Sequence, residues 1–287
     1  MTPPYADAPE AMNAGEALVA ALPRISVVVP CHNEADSLDR LAVEMRWLKD
    51  AMAASYEMEL ILVDDGSTDP TWLILQDRFQ NWANVRLVRH SVNRGIAAAI
   101  QSGLMHATSE IVASLDADCT YEPLQLLSLL DAFHDDVDMV VASPYHPCGA
   151  VIGVPKWRLY LSRLASQLYG LVLQTRLHTY TSCFRVYRRS SVAHLPLTRP
   201  GFVGVAELVW QLDRRGGCIV ECPAVLRTRT QGYSKMRTLR TAMGHLGLLL
   251  KAAFDRLFSL RSRTTGNQKD KTCFSNASTS RFSPRTT

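Results

Sequence analysis

The chain has 287 residues, of which 47% are hydrophobic and 20% are charged, and these values are typical of one large globular domain or two small ones. The formal net charge is +4, and lysine and arginine are concentrated after Lys156, which indicates an anionic partner such as phosphate groups or an acidic membrane surface. Seven scattered cysteines lack the spacing of a zinc site, so a zinc protein is disfavoured and the reducing cytoplasm is the expected compartment.

Residues 1–23 have neither a basic start nor a long apolar segment, so we expect a disordered leader and no signal peptide. From residue 24 onward, short apolar, β-branched runs alternate with segments of helical period. The expected strands cover residues 24–30, 60–64, 85–89, 110–116 and 137–143, and the expected helices lie near 38–52, 70–79, 94–107 and 122–133. Strands that are apolar on both faces predict an α/β fold, with a mostly parallel sheet and helices on both faces. Asn33 and Asp36 are expected to form a capping box before the first helix.

After residue 150, the pattern predicts a helix near 155–174, a strand at 182–187, a helix near 203–215 and a strand at 218–226, and these extend the same domain to residue 240. Residues 241–260 are expected to form an amphipathic helix, and the polar residues 261–287 a disordered tail. No stretch reaches the roughly 20 apolar residues of a membrane-spanning helix. Segment 236–260 suits a helix in the lipid headgroup region, a helix docked on a membrane partner, or an ordinary packing helix.

Two carboxylates, Asp116 and Asp118, stand one residue apart at the end of the fourth predicted strand. Like charges this close raise the cost of ionising each other. A hard divalent cation such as Mg²⁺ or Mn²⁺ takes oxygen ligands from one or two carboxylates and completes its shell with water and substrate phosphates. The pair therefore predicts a metal held against a diphosphate, although an isolated pair of this kind more often caps a helix.

Polar residues also follow the first two predicted strands, at the sheet edge where open α/β sheets bind ligands. Pro30 fixes the backbone after the first strand, and His32 and Glu34 are positioned to bind a base and a ribose. Asp64 and Asp65 follow the second strand and offer a carboxylate to a nucleoside hydroxyl or ring nitrogen. Together with the aspartate pair, these clusters predict a nucleotide site.

A basic segment near residue 230 is a candidate flap over phosphate groups. The stretch "LRTRTQGYSKMRTLR" surrounds Gly232 with five cations, Arg227, Arg229, Lys235, Arg237 and Arg240. A solvated basic turn is the alternative. Glu207 lies in an amphipathic helical pattern, and it is a candidate either to orient an acceptor or to serve the structure.

Six motifs follow one another over roughly residues 24–240: "VVVPCHNEADSL", "LVDDGSTD", "NRGIAAAIQSG", the "DAD" of residues 116–118, "TSCFRVYRR" and "RTQGYSK". In this order and spacing, the chain resembles family 2 glycosyltransferases of the nucleotide-diphospho-sugar transferase (GT-A) fold, and in particular the dolichol-phosphate and polyprenyl-phosphate branch. The resemblance implies an inverting enzyme that moves a sugar from a GDP- or UDP-linked donor to polyprenyl or dolichyl phosphate. It also implies a peripheral protein at the cytoplasmic face of a membrane, with no nucleic acid partner.

The resemblance further implies roles for individual residues. The nucleotide-sugar-binding residues are then Pro30, His32, Glu34, Val63, Asp65, Asp116, Ala117, Asp118, Arg158, Arg229 and Lys235. The implied metal ligands for Mg²⁺ or Mn²⁺ are Asp116 and Asp118, and the implied catalytic residues are Asp116, Asp118, Arg229 and Lys235.

Three positions depart from the family's pattern. His32 stands where an aromatic residue is frequent, Pro144 replaces a phosphate-binding arginine, and Thr120 replaces a Gln or His beside the metal. These positions leave base selectivity, one phosphate contact and metal affinity open. A transferase that acts on a saccharide acceptor in cell-envelope polysaccharide synthesis and a nucleotide-sugar-binding module without turnover stay as alternatives. A dinucleotide oxidoreductase is disfavoured because "PCHNEAD" follows the first strand in place of G-x-G-x-x-G.

Overall fold

Nine strands and eight α-helices occur within residues 22–228 and 238–263, the residues that the computed structural model describes. The strands are β1 (Arg24–Cys31), β2 (Glu57–Asp64), β3 (Val85–Arg89), β4 (Ile111–Ser114), β5 (Met139–Ser143), β6 (Ala150–Ile152), β7 (Arg185–Arg188), β8 (Ile219–Pro223) and β9 (Val225–Arg227). The helices are α1 (Leu38–Met52), α2 (Thr71–Phe79), α3 (Ile96–His106), α4 (Leu126–Asp131), α5 (Lys156–Val172), α6 (Arg189–Val192), α7 (Gly201–Arg214) and α8 (Thr238–Arg263). Short 3-10 helices cover Ala35–Ser37 and Pro123–Gln125.

Seven of the strands form one sheet in the order β3-β2-β1-β4-β7-β5-β8. Neighbouring strands are parallel, except that β7 runs antiparallel to both β4 and β5. The strands β6 and β9 form a separate parallel pair. The predicted α/β fold with a mostly parallel sheet is confirmed.

Two hydrophobic cores lie on opposite faces of the large sheet. In β1, Val27 and Val29 belong to the core formed with α1, α2 and α4, whereas Val28 belongs to the core formed with α3, α7 and α8. All three valines are fully buried. Because successive side chains of a strand point to opposite faces, a strand that is apolar throughout is stable only where helices cover both faces.

The predicted capping box at Asn33 and Asp36 is wrong. A 3-10 turn precedes α1, and neither the turn nor the helix has a side-chain cap. The carboxamide oxygen of Asn33 instead accepts hydrogen bonds from the backbone N–H groups of Thr68 (2.7 Å) and Asp69 (3.3 Å). A contact with a distant loop therefore replaces the local one that the spacing predicts.

Two predicted strands in the second half have different bounds in the structure. The strand expected at 182–187 covers Arg185–Arg188. The strand expected at 218–226 divides at Ala224, since β8 pairs with β5 and β9 pairs with β6. The sequence does not reveal β6, because two of its three residues are exposed and so short a strand has no apolar periodicity.

The C-terminal helix covers Thr238–Arg263 where residues 241–260 were expected. It packs against α5 and α7, and Leu248, Leu249 and Ala252 are buried in the core. Within the described ranges, no helix has both the length and the hydropathy needed to span a membrane. Residues 1–21 of the expected leader and residues 264–287 of the expected tail lie outside the described residues.

The described cysteines include five free thiols. Cys31, Cys119, Cys183 and Cys222 are buried, and Cys148 is exposed.

Gly103 lets α3 lie directly on β1. A Cβ atom added to Gly103 would meet Cγ1 of Val28 at 2.1 Å, and Val28 is a fully buried, β-branched residue that cannot move aside. We expect Gly103→Ala to lower the free energy of unfolding by about 1–3 kcal/mol through overpacking. Urea unfolding followed by circular dichroism measures the change.

The matched control is Gly170→Ala in α5. A Cβ atom there would come no closer than 3.5 Å, to the hydroxyl of Tyr180, and alanine favours a helix interior by about 1 kcal/mol over glycine. Gly170→Ala should therefore leave the free energy of unfolding unchanged or raise it. Equal changes at both glycines would contradict close packing of α3 on β1.

Candidate functional site

Strand register brings the predicted site residues to one edge of the large sheet. Pro30 pairs with Val63 between β1 and β2, and Val28 pairs with Ser114 between β1 and β4. The N–H of Leu115 donates to the carbonyl of Val28 at 3.0 Å, so the chain beyond β4 continues beside β1. All three parallel strands end at this edge, and the residues that follow them are therefore neighbours.

The predicted nucleotide-binding residues fall into two groups by exposure. The side chains of His32, Glu34, Asp116 and Asp118 are partly exposed. The buried residues are Pro30, Val63, Asp65 and Ala117. The first group is thus in part exposed to solvent, and the second group is buried at the same edge.

The loop after β1 is tied to the loop after β2. The N–H of Asn33 donates to the hydroxyl of Ser67 at 2.9 Å, and the N–H of Glu34 donates to the hydroxyl of Thr71 at 2.7 Å. The Asn33 side chain adds the contacts with residues 68 and 69 described above. These bonds fix the backbone that carries His32 and Glu34.

Asp65 joins the end of β2 to the loop that precedes α3. Its buried carboxylate accepts hydrogen bonds from Nδ1 of His90 (2.7 Å), the N–H of Arg94 (2.9 Å) and the N–H of Gly95 (2.7 Å). A carboxylate has about four acceptor positions, so three of them are directed to the protein. The sequence predicts a ligand contact here, but it does not reveal these three partners.

Asp64 is also directed away from the edge. Its side chain is fully buried, with one oxygen accepting from the N–H of Ser67 at 3.1 Å. The other oxygen lies 3.1 Å from Nε of Arg89 in an ion pair. Asp64 therefore stabilises the second loop, and its carboxylate is not presented to a ligand.

His32 is oriented by two hydrogen bonds. Its Nδ1 lies 2.9 Å from the carbonyl oxygen of Asp65, which can only accept, so Nδ1 carries a proton. Its Nε2 lies 2.7 Å from the side-chain amide nitrogen of Asn93, which donates. Asn93 begins the "NRG" motif, but its spacing alone does not predict a role at this edge.

The aspartate pair lies in a tight turn after β4. Asp116 and Asp118 are partly exposed, whereas Ala117 and Cys119 are buried. The N–H of Cys119 donates to the carbonyl of Asp116 at 3.3 Å, and the N–H of Thr120 donates to the Asp118 carboxylate at 3.0 Å. The turn therefore holds two partly exposed carboxylates one residue apart.

The chemistry around the pair fits a hard cation. Burial raises the pKa of the Cys119 thiol to about 12, and burial followed by the charge of Asp116 raises the pKa of the Cys183 thiol well above its usual range. Burial also raises the pKa of the Cys31 thiol. Two carboxylates are hard oxygen donors, which Mg²⁺ and Mn²⁺ prefer. Within residues 22–228 and 238–263, no cluster of three or more His, Cys, Asp or Glu side chains forms a metal site.

The predicted cationic residues are only partly within the described structure. The N–H of Arg227 in β9 donates to the carbonyl of Thr120 at 2.8 Å, so the chain leaves β9 beside the aspartate turn. Arg229 and Lys235 lie in residues 229–237, outside the described residues. Arg158 lies in the first turn of α5, and its side chain is outside the described part.

Glu207 is occupied by structural contacts. It is 1% exposed, and its carboxylate accepts hydrogen bonds from the N–H groups of Thr198 and Arg199, both at 2.8 Å, and from the Thr198 hydroxyl at 2.6 Å. These bonds hold the turn before α7. They favour the structural alternative over a role in orienting an acceptor.

Comparisons with known proteins identify the family of the chain. Residues 26–195 match the profile described as glycosyl transferase family 2. The chain is 28% identical over 241 residues to polyprenol monophosphomannose synthase from Mycolicibacterium smegmatis. That match covers 80% of this chain and 89% of the Mycolicibacterium protein. It is also 25% identical over 232 residues to dolichol-phosphate mannosyltransferase from Pyrococcus furiosus. That match covers 79% of this chain and 64% of the Pyrococcus protein.

A solved structure shares the fold. It is glucosyl-3-phosphoglycerate synthase from Mycobacterium tuberculosis in complex with Mn²⁺, UDP and phosphoglyceric acid, with a TM-score of 0.60 and 21% identity. The match covers 80% of this chain and 78% of that one. The predicted GT-A architecture is confirmed by this likeness.

The contacts of Asp65 predict an effect on stability. Asp65→Asn replaces one acceptor oxygen by an N–H₂ group that faces existing donors, so a buried N–H loses its partner. We expect a decrease of about 1–3 kcal/mol in the free energy of unfolding. Chemical unfolding measures this, and hydrogen exchange should increase in residues 90–95.

The control for this substitution is Asp39→Asn. Asp39 is exposed and forms an ion pair with Arg78 at 2.8 Å, and such surface pairs contribute about 0–1 kcal/mol. If Asp65→Asn and Asp39→Asn lowered the free energy of unfolding by the same small amount, the structural role assigned to the Asp65 carboxylate would be incorrect.

Proposed function

The chain belongs to glycosyl transferase family 2 and is a glycosyltransferase, and from this premise we propose that it transfers a sugar from a nucleoside-diphosphate donor to a polyprenyl phosphate. One observation carries the proposal: two partly exposed carboxylates, Asp116 and Asp118, lie at the sheet edge where β1 and β2 also end. The names of two relatives, a polyprenol monophosphomannose synthase and a dolichol-phosphate mannosyltransferase, support the lipid-phosphate acceptor.

The proposed donor site follows the edge of the sheet. His32 and Glu34 contact the base and ribose, and the buried Pro30 and Val63 supply the floor. Asp65 keeps the neighbouring loop in place and has one acceptor position left for the nucleoside. The hydrogen bonds described above hold this part of the site before the donor arrives, so little ordering is needed on binding.

Asp116 and Asp118 are the proposed ligands of a divalent cation, with Ala117 in backbone contact with the donor. Two carboxylates offer hard oxygen donors, which suit Mg²⁺ or Mn²⁺. The solved relative contains Mn²⁺ together with UDP. When bound, such an ion supplies charge that stabilises the departing diphosphate.

The proposed reaction is an inverting displacement at the anomeric carbon. The acceptor is a phosphate monoester, whose second pKa lies near 6, so it is largely dianionic at neutral pH and attacks without a strong general base. The contacts of Glu207 agree with this, because that carboxylate is already used by the turn before α7. The chain's task is to position the reactants and to balance charge.

Three cations are proposed to balance the phosphate charge. Arg229 and Lys235 follow β9, which is hydrogen-bonded to the aspartate turn, and Arg158 lies at the start of α5. They would reduce the repulsion between donor and acceptor phosphates. Because the acceptor is a lipid, the proposal includes peripheral association with the inner face of a membrane.

A direct assay tests the proposed function. The full chain is incubated with undecaprenyl or dolichyl phosphate, Mg²⁺ or Mn²⁺, and a panel of GDP- and UDP-sugars, and the lipid products are identified by mass spectrometry. A glycosylated lipid phosphate that disappears with EDTA is the expected product. Transfer only to saccharides, or nucleotide binding without turnover, would replace the proposal by one of the alternatives.

Substitution of the aspartate pair tests the site. We expect Asp116→Ala and Asp118→Ala to lower kcat by about 10²–10³-fold, since each removes charge stabilisation of the leaving group. Thermal unfolding should change little, because both side chains are partly exposed and Asp118→Ala removes one hydrogen bond, from the N–H of Thr120. Asp77→Ala, an exposed residue of α2, is the control and should keep the normal rate. Near-normal turnover of Asp116→Ala at saturating metal and substrates would overturn the mechanism.

A further inference from the structure

A chain of buried hydrogen bonds lies behind the donor side of the sheet edge. The hydroxyl of Ser102 lies 2.9 Å from Nε2 of His90, and Nδ1 of the same ring lies 2.7 Å from the Asp65 carboxylate. His90 is 8% exposed and Asp65 is 2% exposed. Ser102 belongs to α3, His90 directly follows β3 and Asp65 directly follows β2. Three separate elements therefore meet at one imidazole, and only Asp65 has a role in the proposed function.

The donors around Asp65 fix the direction of these hydrogen bonds. One carboxylate oxygen accepts from His90 and from the N–H of Arg94, and the other accepts from the N–H of Gly95. An ionised carboxylate can only accept, so Nδ1 of His90 carries a proton. In a neutral imidazole the second nitrogen is then an acceptor, and the Ser102 hydroxyl is the donor that reaches it. Ser102 thus selects one tautomer and one orientation of the His90 ring.

The same order of groups, a serine, a histidine and an aspartate, occurs in hydrolases. In those enzymes the serine attacks a carbonyl group beside backbone N–H groups that bind the oxyanion. Ser102 instead lies inside α3, where the backbone N–H groups are hydrogen-bonded to the preceding turn of the helix. A hydrolytic role is therefore disfavoured, and the arrangement serves to orient His90.

Two routes lead from Asp65 to the exposed side of the edge. The backbone carbonyl oxygen of Asp65 lies 2.9 Å from Nδ1 of His32. The Asp65 carboxylate binds the two N–H groups that directly follow Asn93, and the side-chain amide of Asn93 lies 2.7 Å from Nε2 of His32. Groups that Asp65 holds in place therefore orient both ring nitrogens of His32. A shift of the Asp65 carboxylate would thus reach the residue that is proposed to contact the base.

The loop after β2 and the loop before α3 are in close backbone contact. A Cβ atom added to Gly66, which directly follows Asp65, would lie 2.4 Å from the carbonyl carbon of Val92 and 2.5 Å from the backbone nitrogen of Asn93. Gly66 has a φ of +64°, a conformation that glycine adopts without strain. Because the two backbones touch, a displacement of one loop displaces the other.

We propose that His90, oriented by Ser102, is a positioning residue of the donor site. It holds the Asp65 carboxylate so that the remaining acceptor position faces the nucleoside, and through Asp65 it sets the placement of Asn93 and His32. The inference rests on the proposed function, because it names a residue that prepares the same nucleotide site. A histidine that served packing alone would affect folding and would leave the affinity for the donor unchanged.

Two variants of the full chain, assayed for sugar transfer to a polyprenyl phosphate, test the role of His90. His90→Gln keeps a polar group near the Nε2 position but removes the donor to Asp65. We expect the KM for the nucleotide sugar to rise about tenfold or more, with kcat changed by less than about twofold, because a hydrogen bond to a charged group is lost. Ser102→Ala removes only the donor to Nε2 and should raise this KM by about two- to tenfold. Alanine favours a helix, so Ser102→Ala decides the test if His90→Gln does not fold.

His90→Asn is the conservative variant. The amide nitrogen of asparagine takes the place of Nδ1 and donates to Asp65, so the KM for the nucleotide sugar should return to within about threefold of the unaltered chain. A packing role predicts the opposite order, because asparagine is smaller than glutamine and leaves the larger cavity. The matched control is His106→Gln on the same helix as Ser102. His106 is exposed and its Nδ1 lies 2.8 Å from the carbonyl oxygen of Ser102, and this substitution should leave KM unchanged.

Equilibrium binding of GDP and UDP in the presence of Mn²⁺ separates this inference from the proposed function, because the measurement needs no acceptor. The unaltered chain should bind one of the two nucleotides, and His90→Gln should weaken that binding by about tenfold or more. If His90→Gln weakens nucleotide binding but the unaltered chain forms no glycosylated lipid, the proposed function fails and the positioning role of His90 stands.

Three results would overturn the positioning role even if transfer to the lipid occurs. The first is equal nucleotide affinity in the unaltered chain and His90→Gln. The second is a fall in kcat at unchanged KM, which would place the effect of His90 on the chemical step. The third is an equal rise in KM for His90→Gln and His90→Asn, which would show that the donor to Asp65 is not what matters. Binding of neither nucleotide by the unaltered chain would overturn both this inference and the proposed function.

Discussion

Two carboxylates held one residue apart repel each other, and this constraint organises the site. A parallel sheet concentrates the ends of its strands at one edge, so the turn after β4 lies beside the loops after β1 and β2. Asp116 and Asp118 are partly exposed in that turn, whereas Ala117 and Cys119 are buried. A cation bound between the strand ends would offset this repulsion and would attract the diphosphate. In our account, the remaining features of the edge position the donor against this pair.

The loops around the pair are fixed by hydrogen bonds rather than by apolar packing. The carboxylate of Asp65 binds three donors of the loop before α3, and its backbone carbonyl orients the ring of His32. Asn33 ties the first loop to the second. A polar network of this kind is rigid only when each member has partners. It therefore supplies an ordered donor site.

The sequence predicts the sheet well because its signal is local. The apolar run at residues 85–89 coincides with β3. The continuous apolar run of β1 corresponds to two hydrophobic cores, one on each face of the sheet. The prediction fails at Asn33, whose side chain bonds a loop 35 residues away, and at β6, which pairs with the distant strand β9. Likewise, the roles of Asn93 and Glu207 depend on partners that spacing does not reveal. Contacts between distant segments thus set the limit of sequence reasoning here.

The central claim is that Asp116 and Asp118 bind a divalent ion together with a nucleoside diphosphate. Electron paramagnetic resonance of Mn²⁺ added to the full chain measures this without requiring an acceptor. The account predicts that GDP or UDP makes the chain bind one Mn²⁺, and that Asp116→Asn and Asp118→Asn abolish this binding while the fold is retained. Equal Mn²⁺ binding by the unaltered chain and both asparagine variants would contradict it.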